Sequence, residues 1–134
     1  MNKETLIESN HVLTYNSNTY SVNKLMNNIY KSNNAITYKH IELESIKHML
    51  TNKIWIYDKL PLSPQMVIDE PDKYSKIYND IIRSDIFYPV IILYIDKKML
   101  LIDGHHRVTK SIIFNIPSID AYIIDLKTLN KSIL

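Results

Sequence analysis

One glycine constrains this chain more than any other residue. Gly104 is the only glycine in 134 residues, and it interrupts the stretch Met99–Ile116, MLLIDGHHRVTKSIIFNI. Met99-Leu100-Leu101-Ile102 is an apolar run of strand length. Asp103-Gly104 breaks it, and Val108, Ile112 and Ile116 then recur at helical spacing on one face. The stretch reads as strand, tight turn, helix. A chain this poor in glycine places one where a side chain cannot fit, at a positive φ or where backbone lies close to a ligand.

The turn delivers His105, His106 and Arg107 to a helix N-terminus. Backbone N–H groups and the helix dipole favour an anion there, and a guanidinium is a planar fork suited to phosphate. Gly104, His105, His106 and Arg107 are therefore the candidate phosphate-binding set, with a nucleotide as ligand. Asp103 would repel phosphate unless Mg²⁺ bridges the two or the carboxylate takes a substrate proton. Asp103 and His105 are the candidate catalytic residues, and Asp103 is the candidate Mg²⁺ contact. Adjacent helical side chains diverge by about 100°, so the two histidines do not hold one metal together. The same residues also fit an ordinary Asp-Gly turn with histidines solvating a helix start.

The sequence around the turn resembles the ParB/sulfiredoxin superfamily. The matching pieces are Tyr88-Pro89-Val90-Ile91-Ile92, then Leu100-Leu101-Ile102-Asp103-Gly104-His105-His106-Arg107, then Ile116-Pro117 and an apolar strand. Together they span roughly Ile54 to Asp125. The resemblance implies a proline-introduced strand, a hairpin, and a Gly-x-x-Arg turn that holds nucleotide phosphates. Sulfiredoxins place a catalytic cysteine before a His-Arg pair. His105 stands there in this chain, which has no cysteine, so sulfinic acid reduction is excluded while His106 and Arg107 match. Chromosome-partitioning ParB proteins carry Gly-Glu-Arg-Arg, matched only at Gly104 and Arg107, and follow this fold with a helix-turn-helix region. The free-serine kinases of the superfamily carry DGHHR itself. They also use a glutamate in the loop after the first core strand, where this chain has Gln65. The resemblance makes Ser63, Gln65 and Glu70 second-tier site candidates; a plain connecting loop is the alternative for Leu60–Gln65.

The rest of the chain sets the frame. A net charge of +2 is too mild to announce a nucleic-acid binder. Without cysteine there is no disulfide or thiolate metal site, which fits an intracellular, cytoplasmic protein. Met1-Asn2-Lys3-Glu4 shows no signal-peptide pattern, and no apolar run is long enough to span a membrane. Walker, H-E-x-x-H and Gly-x-Ser-x-Gly signatures are absent.

Residues 1–38 read as a polar, partly ordered extension, dense in asparagine from Asn10 to Asn34. Val22, Leu25, Met26 and Ile29 keep helical spacing; Val12, Leu13, Tyr15 and Tyr20 suit a hairpin around Asn16-Ser17-Asn18. Glu42–Leu50 predicts a helix with Leu43, Ile46 and Leu50 on one face, and His48 reads as a partly exposed residue on it. His40 and His48 are too far apart for a single-turn metal pair. Ile54–Tyr57 predicts a strand, and Leu60–Gln65 a stiff, extended loop. Asp69-Glu70-Pro71-Asp72 signals a helix start, with Tyr74, Ile77, Tyr78, Ile81 and Ile82 as its apolar stripe to about Arg83. Val90–Ile95 is apolar on both faces and should lie centrally in a sheet. Asp96-Lys97-Lys98 makes a hairpin turn, Asn115 and Pro117 stop the DGHHR helix, and Ile119–Ile124 is the last strand. The tail from Asp125 turns helical around Leu126 and Leu129.

The expected fold is α+β: a small mixed β-sheet flanked by helices, ParB/sulfiredoxin-like, in a single domain. Residues 39–134 form that domain, with its core at 54–125. The expected function is NTP binding with Mg²⁺, with ATP or another NTP hydrolysed or its phosphoryl group passed to a small-molecule acceptor. The alternatives are a DNA-binding or nuclease-type ParB-like module, with no basic stripe to support it, and a non-catalytic interaction domain.

Overall fold

Hydrophobic run lengths and two-residue turns build most of this structure, a computed structural model that describes residues 6–9, 12–15, 18–31 and 37–133. The central sheet has the order β4-β9-β7-β8, with β4 at Thr37–Glu42, β7 at Val90–Ile95, β8 at Lys98–Asp103 and β9 at Ser118–Ile124. β4 and β9 are antiparallel, β9 and β7 parallel, β7 and β8 antiparallel. The sheet is mixed and helices flank it, as expected. Val90 to Leu93 are fully buried, because β7 is paired along both edges and covered on both faces.

Two hairpins use the same device. β5 (Trp55–Tyr57) turns into β6 (Leu60–Leu62) through Asp58-Lys59, and β7 turns into β8 through Asp96-Lys97. All four turn residues have positive φ, 50° and 66° in the first turn and 51° and 62° in the second. That conformation suits a two-residue hairpin between twisted strands.

Three expectations are corrected. The Glu42–Leu50 helix does not form. Glu42 ends β4, and 3₁₀ turns follow at Leu43–Ser45 and Lys47–Thr51. The buried residues Leu43, Ile46 and Met49 recur every third position, the 3₁₀ period. The Leu60–Gln65 loop is instead strand β6 and the start of helix α2, Pro64–Asp69. Ser63 Oγ accepts the Met66 N–H at 3.3 Å, and Pro64 takes the first helical position, where no N–H is needed. The acids around Pro71 end α2 at Glu70 rather than start a helix; α3 begins at Ser75 and runs to Arg83. Its stripe holds, with Tyr74 and Ile81 buried and Ile77, Tyr78 and Ile82 half-buried.

The N-terminal segment packs into the same core. Strands β1 (Leu6–Ser9), β2 (Val12–Tyr15) and β3 (Asn18–Ser21) form an antiparallel sheet, and helix α1 follows at Val22–Lys31. Hairpin and helix, offered by the sequence as alternatives, both exist; the Asn16-Ser17 turn lies outside the described residues. Tyr15, Tyr20, Leu25 and Ile29 are buried in the cluster that contains β7. The chain's last turn, α5 (Leu126–Asn130), closes over this segment. Ser21 N–H donates to Ser132 O at 2.9 Å, and Tyr20 OH to Asn130 Oδ1 at 3.1 Å. No helix among the described residues is long and apolar enough to cross a membrane.

Candidate functional site

The strand–turn–helix at Gly104 forms as its sequence dictates. A bulge in β8 leaves Ile102 extra, so that Leu101 faces Ile92 and Asp103 faces Ile91 on β7. Such bulges re-aim the side chain that follows. Gly104 then adopts φ +103°. A Cβ there would lie 2.4 Å from Val90 Cγ1, so both the backbone angle and the packing against Val90 demand glycine. Helix α4, His105–Ile113, starts at Gly104 without a side-chain N-cap hydrogen bond. It stops in a Schellman motif. Asn115 is left-handed at φ 57°, its N–H donates to Ile112 O at 3.1 Å, and Ile116 N–H reaches Ser111 O at 2.8 Å. Ile116 thereby leaves the helical face its spacing suggested.

Arg107 folds back over the turn. Its Nη2 donates to Asp103 Oδ2 at 2.9 Å, and its Nη1 to the carbonyls of Tyr88 at 3.2 Å and Pro89 at 2.6 Å. Both members of the ion pair are about four-fifths buried, at 19 % and 18 % side-chain exposure. Lys110 secures the same segment by donating to Ser84 O at 2.8 Å. His106 sets its ring edge-on to Trp55, centroids 5.2 Å apart. His105 is buried.

The turn residues and the Ser84–Pro89 segment border a cleft of about 520 Å³, within the range of small-ligand sites. Asp103, Gly104, His105, His106 and Arg107 all border it, so the whole candidate turn comes together. Ser63, Gln65 and Glu70 do not border it. Ser63 caps α2, Gln65 Nε2 donates to Asp69 Oδ1 at 2.8 Å, and Glu70 pairs with Lys73 at 3.8 Å. Sequence reasoning missed Met26, Ser84, Asp85 and Tyr122 on the lining, and read Tyr88-Pro89 only as the lead-in to β7. Met26 reaches the site from α1, a contribution no local pattern announces. Tyr88 had a signal: an aromatic just before a proline, where the chain is extended and exposed.

The lining charges are Asp85, Asp103 and Arg107, two carboxylates against one guanidinium. Among the described residues no group of three or more His, Asp or Glu is placed to hold a metal ion. One or two carboxylates do suit a Mg²⁺ that arrives already bound to phosphate and keeps its waters. The site thus sets a helix start, one guanidinium and two carboxylates around the cleft. Comparison of the chain with protein-family models, with curated proteins and with solved structures found no match.

Proposed function

We propose that this chain is a nucleotide-binding domain of ParB/sulfiredoxin type, which takes an NTP with Mg²⁺ and hydrolyses it or passes its phosphoryl group to a small acceptor. The observation that carries this reading is the cleft at the uncapped start of α4, bordered by every residue of the Asp103–Arg107 turn. Helix N–H groups and His106 would hold phosphate oxygens. Arg107 Nη2 would exchange the Asp103 carboxylate for a phosphate oxygen while Nη1 stays on the Tyr88 and Pro89 carbonyls. Asp103, released from that pair, would then contact Mg²⁺ or accept the acceptor's proton. Asp85 is a second carboxylate on the same cleft lining.

The test is thermal unfolding with ATP, ADP, CTP or GTP, each with and without Mg²⁺, on wild type, Arg107→Ala and Gln65→Ala. A ligand that binds only the folded state raises the melting temperature. One nucleotide should raise it in wild type and Gln65→Ala and fail to do so in Arg107→Ala. No rise with any nucleotide at millimolar concentration would overturn the proposal in favour of DNA or a protein partner.

A further inference from the structure

The open face of the β4–β9 ladder carries a second constellation. Three residues of each strand share that face: Tyr38, His40 and Glu42 on β4, opposite Tyr122, Asp120 and Ser118 on β9. The Leu43 N–H donates to Pro117 O at 2.9 Å, which makes Glu42/Ser118 a pair without direct ladder bonds. Alternation puts His40/Asp120 and Tyr38/Tyr122 in the same class, where side chains approach closest. His40 therefore meets Asp120 directly and Ser118 on the diagonal. His40 Nδ1 lies 2.6 Å from Asp120 Oδ1, and His40 Nε2 lies 2.6 Å from Ser118 Oγ.

A carboxylate only accepts, so the imidazole proton sits on Nδ1 and Nε2 is left to accept from the Ser118 hydroxyl. The second carboxylate oxygen is also engaged: Tyr38 OH donates to Asp120 Oδ2 at 2.9 Å, and the Tyr38 ring rests edge-on against Tyr122 at 5.2 Å. The hydrogen bonds from His40 and then Tyr38 hold the Asp120 carboxyl below the usual carboxylate range. The order nucleophile, base, orienting acid is met with hydrogen-bond contact at each step.

We propose that Ser118, His40 and Asp120 form an acyl-transfer site that acts on activated esters. Ser118 Oγ attacks the ester carbonyl carbon and its proton passes to His40 Nε2. The tetrahedral species expels the alcohol, which leaves with that proton as the ester C–O bond breaks, and the acyl group stays on Oγ. Water repeats the sequence, giving its proton to Nε2, forming the acid and restoring the serine. Ser118 and His40 are the catalytic residues; Asp120 is a positioning residue. The His40 side chain is 68 % exposed, so the site is open, water solvates the developing oxyanion, and only esters with good leaving groups turn over. A depression of about 260 Å³ reaches Pro117, the residue before Ser118; its walls mix the apolar Leu43, Ile112 and Ile116 with the charged Glu42, Glu44 and Lys47.

The full chain is treated with a fluorophosphonate probe, mapped by mass spectrometry, and assayed with p-nitrophenyl acetate, butyrate and octanoate. A single adduct on Ser118 is expected, with turnover of the p-nitrophenyl esters. Ser118→Ala should abolish labelling, and His40→Gln should lower the labelling rate by about 10²-fold. Asp120→Asn should lower it as well, and Asp120→Glu should recover part of the loss, a rescue that a purely structural role would not give. Unchanged melting temperatures show that the variants are folded. No adduct, an adduct elsewhere, or hydrolysis that survives Ser118→Ala would overturn the site. Ser118→Ala keeps the α4 cleft intact, so its response to nucleotides separates this outcome from that of the preceding proposal.

Discussion

At Gly104 two independent constraints meet in one residue, a left-handed backbone and a neighbour 2.4 Å from where a Cβ would stand. Gly104→Ala should cost about 2–4 kcal/mol, the sum of a strained φ and an overpacked contact. Urea denaturation measures it, and removing the contact with Val90→Ala should make the double variant less unstable than the two single losses added. The sequence flagged this residue because it is the only glycine. It flagged Arg107 by chemistry but could not show what Arg107 touches. The Tyr88 and Pro89 carbonyls lie 19 and 18 residues away, and no spacing rule reaches that far. The spacing of His40 from His48 carries no information about His40, whose partners sit on β9, 80 and 78 residues on.

At the scale of elements, local chemistry was legible where it was repeated or punctuated. The turn expected at Asp96-Lys97-Lys98 forms at Asp96-Lys97, with Lys98 already in β8, and the same dipeptide at Asp58-Lys59 marks the β5–β6 hairpin. The 3₁₀ turns after β4 were missed because Leu43, Ile46 and Leu50 also satisfy a helical face; Met49, in step with a period of three, was the discriminating residue. β4 itself is polar, with Ile41 the one buried residue from Tyr38 to Glu42, so it lacks an apolar signature. Helix α5 offers a titration test. Asp125 caps it by accepting the Thr128 N–H at 2.8 Å, and that bond holds its carboxyl below the usual range. A depressed folded pKa contributes stability above the unfolded value of about 3.9. That contribution drains as pH falls through the lower folded value. Asp125→Asn keeps a capping oxygen but cannot titrate. It should therefore unfold much like wild type at pH 7 and lose less stability than wild type on acidification below pH 4, as followed by circular dichroism.

At the scale of the whole molecule, the mixed sheet was anticipated but its order was not. The order depends on β9 inserting between β4 and β7, and strand pairing is a long-range choice that local pattern leaves open. The N-terminal segment also looked detachable by composition, yet Tyr20 and Leu25 are buried with β7. Leu129, fully buried where α5 meets this segment, should cost about 2–4 kcal/mol on truncation to alanine. Calorimetry should still show one transition, with the N-terminal hairpin, α1 and the central sheet melting together. A separate early transition would show that the segment is an independent unit.

The clasp between β3 and α5 also sets an order of events during synthesis. The Tyr20 hydroxyl waits for Asn130, 110 residues later. At the usual ribosomal pace that is roughly 5–20 s during which hairpin and helix are made but their covering turn is not. Over that interval the apolar sides of Tyr15, Tyr20 and Leu25 face water or a chaperone, and the newborn chain is most open to aggregation and proteolysis.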